Sequence, residues 1–137
     1  MSFTEKIWEW DSLEESEKLR CLYSFGDALE FLSSSASKQI ANLPGGCPSC
    51  EVWSTYGLRV DDFVNLLSAE SEEDVRIVAK KLLEAFDLLT EEEAKCWDEN
   101  VLTLEGWDKI RSLSSETLSK IEWDLLNTFR KDLNRAL

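Results

Sequence analysis

Along most of this chain apolar residues recur every three or four positions, the spacing that lines one face of an α-helix. The longest stripe runs through Leu22, Phe25, Leu29, Leu32, Ala36, Ile40 and Leu43 and predicts one long helix from about Ser12 to Leu43. Ser12-Leu13-Glu14-Glu15 offers a capping box at its start, and Pro44, Gly45 and Gly46 end it. Gly26 and the cluster Ser33-Ser34-Ser35 have low helix propensity and mark where it would kink or break. Ahead of it, Ser2-Phe3-Thr4-Glu5 fits a second capping box, opening a short helix with Ile7, Trp8 and Trp10.

Downstream, Pro48 suits the first position of a short helix, with Cys47 as its cap and Gly57 as its stop. Asp61 or Asp62 can open the next, through Phe63, Val64, Leu66 and Leu67. Ser71-Glu72-Glu73-Asp74 starts another, whose inner face is Val75, Val78, Leu82, Leu83, Phe86 and Leu89. Thr90-Glu91-Glu92-Glu93 leads into a short helix with Cys96 and Trp97, and Thr103-Leu104-Glu105-Gly106 into one with Trp107, Ile110 and Leu113. Ser115 is placed to cap a last helix with Leu118, Ile121, Leu125, Phe129 and Leu133. No alternating run is long enough for a strand. The pattern predicts an all-α fold, an irregular bundle of roughly six to eight helices without significant sheet. It is expected to be a single domain over residues 1–137, with a front piece 1–43, a joint 44–50 and a back piece 51–137.

Composition supports a packed interior: 43% of the 137 residues are hydrophobic, with six Trp and six Phe. Charge adds more. The net charge is −13, and residues 61–108 carry fifteen acids against four bases, whereas residues 109–137 carry six bases against four acids. Direct binding of nucleic acid or an anionic membrane needs clustered Lys and Arg, so both are set aside. No apolar run approaches the ~20 residues that span a bilayer, and the first residues lack a secretory pattern. A cytoplasmic protein with reduced thiols is expected.

Two readings of the acidic middle are open. Glu72, Glu73 and Asp74, and again Glu91, Glu92 and Glu93, fall in first turns of predicted helices, where carboxylates gain ~0.3–1 kcal/mol each from the helix dipole. Alternatively Asp61, Asp62, Glu70, Glu72, Glu73, Asp74, Glu91, Glu92, Glu93, Asp98 and Glu99 form a face for a basic partner protein. Trp8 joins this set. It stands two residues from Trp10, so one surface can hardly bury both, and Trp is a favoured contact residue.

Cys47-Pro48-Ser49-Cys50 resembles the Cys-Pro-x-Cys-Gly turn of zinc ribbons and rubredoxin-like sites, with Glu51 in place of the glycine. With no His in the chain, an all-protein zinc site would need Cys21 and Cys96 as well as Cys47 and Cys50. A redox pair at a helix N-terminus, or plain turn-capping and core cysteines, are the other readings. Absence of His excludes Ser-His-Asp, Cys-His and His-Glu-x-x-His constellations, and no phosphate-binding glycine loop is present, so an enzyme is not expected.

The expectation is a protein-binding module that docks on and blocks or adapts a partner protein with a basic surface, for example one that binds nucleic acid. It shares size, acidity and lack of catalytic motifs with immunity proteins against toxic nucleases and with anti-defence (anti-CRISPR-type) inhibitors. No cofactor is then required, and a homodimer stays open. The alternative is a small zinc-stabilised adaptor built on the four cysteines.

Overall fold

The computed structural model describes residues 3–43, 45–67 and 73–133, and these are helical with no strand among them. The elements are α1 (Phe3–Ser12), α2 (Ser16–Leu32), α3 (Ala36–Asn42), α4 (Pro48–Glu51), a π-helical turn (Val52–Gly57), α5 (Leu58–Leu67), α6 (Glu73–Asp87), a 3₁₀ turn (Glu99–Thr103), α7 (Glu105–Lys120) and α8 (Trp123–Thr128). Helix α2 is the axis of the bundle and touches α1, the π-turn, α5 and α7, while α6 lies along α7. Its Leu22, Phe25, Leu29 and Leu32 are fully buried, as the stripe predicts, and Leu19 joins them. Phe25 stacks on Phe63 of α5 at 4.3 Å, and Phe86 of α6 meets the Trp107 ring of α7 edge-on at 5.8 Å. The expected all-α bundle is thus present, whereas several boundaries differ.

The single long N-terminal helix is the first correction. It is divided twice. Ser12 ends α1, its Oγ donating to the Glu9 carbonyl, so it does not cap α2. At the serine cluster, Ser33 and Ser34 turn their hydroxyls back onto the Glu30 carbonyl, and Ser35 adopts extended backbone and caps α3 through the Lys38 N–H. Such local side-chain bonds compete with continuation of a helix. Gln39 then fixes the break: its buried amide donates to the Phe31 and Leu32 carbonyls in the last turn of α2.

Gly57 does not stop a helix. Residues 48–67 run on as one rod through the π-turn, and Asp61 and Asp62 lie inside α5 instead of opening it. The glycine has another use. The Trp53 ring lies on it, and any Cβ at position 57 would overlap that ring. Gly26 has the same role on α2, where the Trp123 ring fills the space of a side chain. Trp123 reaches that place because Ser115 does not cap the last helix either. Helix α7 continues to Lys120, and Glu122, in the left-handed region at φ 57°, makes the turn into α8. The turn shifts the apolar register, so Ile121, Trp123, Leu126 and Leu133 are buried while Leu125 is exposed.

Polar contacts then hold α8 and the residues after it on α2. Tyr23 donates its hydroxyl to the Leu126 carbonyl at 2.7 Å, the Trp123 indole N–H reaches the Glu30 carboxylate, and Arg130 grips Asp27 with two nitrogens. The Arg130 guanidinium also lies over the Tyr23 ring at 5.0 Å. Asp27 and Glu30 therefore serve to hold α8 and the residues after it on α2.

Candidate thiolate cluster and the α6–α7 connection

Pro48 opens α4 as the spacing predicts, which places Cys47 just before the helix and Cys50 in its first turn. Cys96 arrives from the connection between α6 and the 3₁₀ turn. The sulfurs of Cys47, Cys50 and Cys96 all lie within 4.8 Å of one another, with Cys50 and Cys96 3.9 Å apart. Cys47 is buried; Cys50 and Cys96 are exposed. Cys21 is not among them. It is half-buried on α2, where burial first and the nearby Asp62 carboxylate second push its thiol up.

The cluster has a polar scaffold. The Trp97 N–H donates to Cys47 Sγ at 3.3 Å, and the Ser49 hydroxyl, 3.7 Å from the same sulfur, is shared between the Ala94 and Lys95 carbonyls at 3.2 Å each. Desolvation alone would raise the Cys47 thiol. The Cys50 and Trp97 N–H groups, the Cys50 thiol and the Ser49 hydroxyl outweigh it and bring the group to about 6. Cys50 moves the opposite way, to about 11: its hydrogen bonds with Cys47 and then Cys96, together with burial and the charge of both neighbours, favour the protonated form.

The segment that delivers Cys96 is not the short helix expected after Thr90. The capping box forms: the Glu93 N–H donates to Thr90 Oγ1 at 3.1 Å and the Thr90 N–H to the Glu93 carboxylate at 2.9 Å. Only one turn follows, closed by Ala94 N–H to the Thr90 carbonyl. Glu93 is drawn instead to the start of α7, where its carboxylate accepts the Gly106 N–H and its carbonyl accepts the Trp107 indole N–H at 2.8 Å. The Thr90 and Gly106 N–H groups hold its carboxyl below the ordinary range.

Beyond that anchor the chain turns outward. Trp97 is 75% exposed and sits in the left-handed region at φ 64°, and Leu88 at the other end of the connection is 70% exposed. A left-handed tryptophan is strained by roughly 1 kcal/mol or more and persists only where its surroundings fix it. Here its own N–H bond to Cys47 Sγ does so.

The acids chosen from the sequence divide by role. Glu93 is the capping and anchoring group just described, and Asp98 caps the 3₁₀ turn through the Asn100 N–H. Asp61 is half-buried on α5. Asp62, Asp74, Glu91, Glu92 and Glu99 are exposed. Glu70 and Glu72 lie outside the described residues, as does the side chain of Glu73. Trp10 is buried, whereas Trp8 is 40% exposed and its ring meets Phe129 edge-on at 5.3 Å. The residues that sequence reasoning missed are Trp97, Leu88 and Ser49. One signal was present: between Leu89 and Val101 only Ala94, Cys96 and Trp97 are apolar, too few for a stripe that could bury the tryptophan.

Beside the cluster, Cys50 and Ser49 share a cleft with Trp53, Phe86, Asp87, Leu89, Ala94 and Trp107, about 270 Å³ in volume. Among the described residues no helix is long and apolar enough to cross a membrane. No protein-family model, curated protein or solved structure matches this chain.

Proposed function

We propose that the protein works by stoichiometric docking on a basic partner protein, and that the α6–α7 connection is its contact surface. The observation that carries this reading is Trp97, a strained tryptophan presented to solvent in a molecule that buries Trp10, Trp107 and Trp123. Exposed aromatics of this kind are where binding energy concentrates in protein interfaces. Leu88 adds apolar area on the same connection, and Glu91, Glu92 and Glu99 add exposed negative charge around it. A net charge of −13 favours a partner of opposite sign and disfavours a second copy of this chain.

In this reading the acids steer and the tryptophan holds. Charge speeds encounter with a positive surface, and buried aromatic area sets the lifetime of the complex. The test is a binding measurement with the partner recovered from the source cell. Trp97→Ala should weaken affinity by about 30-fold, the loss of a hot-spot side chain of ~2 kcal/mol. Glu91→Lys with Glu92→Lys should slow association and reduce its dependence on salt. If neither substitution changes the affinity, the surface is not the docking site.

A further inference from the structure

We propose that Cys47, Cys50 and Cys96 form a three-thiolate site for one zinc-class divalent cation, with a fourth coordination position open to solvent or to an incoming group. The geometry is the main ground. A tetrahedral zinc with Zn–S bonds of about 2.3 Å separates its sulfurs by about 3.8 Å. Cys50 and Cys96 stand 3.9 Å apart, and all three sulfurs lie within 4.8 Å of one another. Tetrahedral spacing then asks at most about 1 Å of closure in any sulfur–sulfur distance. Cys50 and Cys96 face solvent, which gives an ion its entry path. Sulfur is the only donor type in the cluster, and soft donors select zinc-class ions over magnesium or calcium.

The second ground is the set of donors around Cys47. The Trp97 N–H, from the α6–α7 connection, and the Cys50 N–H, from α4, donate to its sulfur, and such outer contacts orient a ligand and spread its negative charge. On binding, each thiol that is still protonated gives its proton to solvent as its sulfur joins the ion.

The site has a structural consequence. Cys47 and Cys50 belong to the start of α4, and Cys96 belongs to the α6–α7 connection, next to Trp97. An ion bridging them clamps the connection to the bundle and fixes the tryptophan. This consequence rests on the docking reading for its biological meaning; the site itself does not.

The test uses the full chain, fully reduced and metal-free, titrated with Co(II) as a spectroscopic probe and then with Zn(II) in competition. One Co(II) per chain should bind, with a sulfur-to-cobalt charge-transfer band that zinc abolishes. Cys50→Ser and Cys96→Ser, both at exposed positions, should each weaken binding by about 100-fold or more, at or above the 10–100-fold effect of losing an outer-sphere contact. Cys21→Ser should leave affinity and band intensity unchanged. Trypsin cleavage after Lys95 should slow on zinc addition and recover with a chelator, while cleavage in the Cys96→Ser variant ignores zinc. Absence of one-to-one binding overturns the site, and so does oxidation of Cys50 and Cys96 to a disulfide in place of metal uptake. Equal weakening by Cys21→Ser overturns the three-ligand set. Stoichiometric zinc binding with partner affinity indifferent to Trp97 leaves the site standing and removes only the docking surface.

Discussion

Two tryptophans, Trp123 and Trp97, stand in opposite circumstances, and the regions around them are built on opposite terms. At the seam between α2 and α8, Trp123 lies on Gly26, its indole N–H paired with Glu30, and Tyr23 and Arg130 reinforce the same contact. The contacts there support one another, and the left-handed Glu122 that makes the turn is offset by the packing of Trp123. On the α6–α7 connection, Trp97 points away from the bundle with a left-handed backbone, tied down by its N–H to Cys47 Sγ. The first arrangement stabilises the fold. The second costs a little stability and presents a large aromatic surface. Departure from local preference without a packing return is characteristic of sites kept for binding.

If that contrast is right, the largest effect belongs to the seam. Trp123→Ala should lower unfolding free energy by about 3–5 kcal/mol, the usual cost of removing a large buried aromatic, measured by denaturant unfolding with unchanged m-value. Gly26→Ala comes next. The added methyl overlaps the Trp123 ring, and overpacking of this kind costs about 1–3 kcal/mol, while the gain in helix propensity returns at most ~1 kcal/mol. A net loss near 1–2 kcal/mol is expected. A gain in stability would show that the ring can move aside, and that the seam is looser than its contacts imply.

Gly26 also shows what a reader of the sequence can and cannot see. Periodicity finds the helices, because a stripe such as Leu22-Phe25-Leu29-Leu32 has no other use than burial. It does not find their ends, since those depend on partners distant in the chain. Gln39 seals the break after Leu32, and the left-handed Glu122 swings Trp123 onto Gly26 across nearly a hundred residues. A glycine read only as a weak helix former is a socket. The cysteine site divides in the same way. Cys47 and Cys50 are visible as a pair four residues long, because Pro48 sets the turn locally. Cys96 joins them through tertiary packing of the connection, so sequence alone could not choose it over Cys21.

Glu93, which anchors the α6–α7 connection to the start of α7, carries the next effect. Its carboxylate accepts N–H groups from Thr90 and Gly106, so Glu93→Ala should cost about 1 kcal/mol, as loss of a capping group does. Because its folded pKa is depressed below the ordinary ~4.3, this contribution is present above that value and is lost as pH falls through the folded pKa. Wild-type stability should therefore drop on acidification below about pH 4 more steeply than that of Glu93→Ala. Parallel acid limbs would mean that the hydrogen bonds do not survive in solution.

The smallest expected change in stability is at Trp97, and there its smallness is the point. Trp97→Ala should shift unfolding free energy by no more than about 0.5 kcal/mol, the range for exposed positions without buried partners. Trp97→Gly sharpens the comparison, because glycine adopts φ 64° without strain and keeps the N–H that reaches Cys47 Sγ. Its stability should equal or exceed that of Trp97→Ala by up to about 1 kcal/mol, although glycine also gains freedom in the unfolded chain. Both variants lose the indole, so both should lose partner binding equally. Loss of stability on the scale of Trp123→Ala would place the ring in a packed interior and end the contrast. Stability retained and binding lost, in both variants alike, assigns the indole to the interface and the left-handed backbone to the fold that presents it.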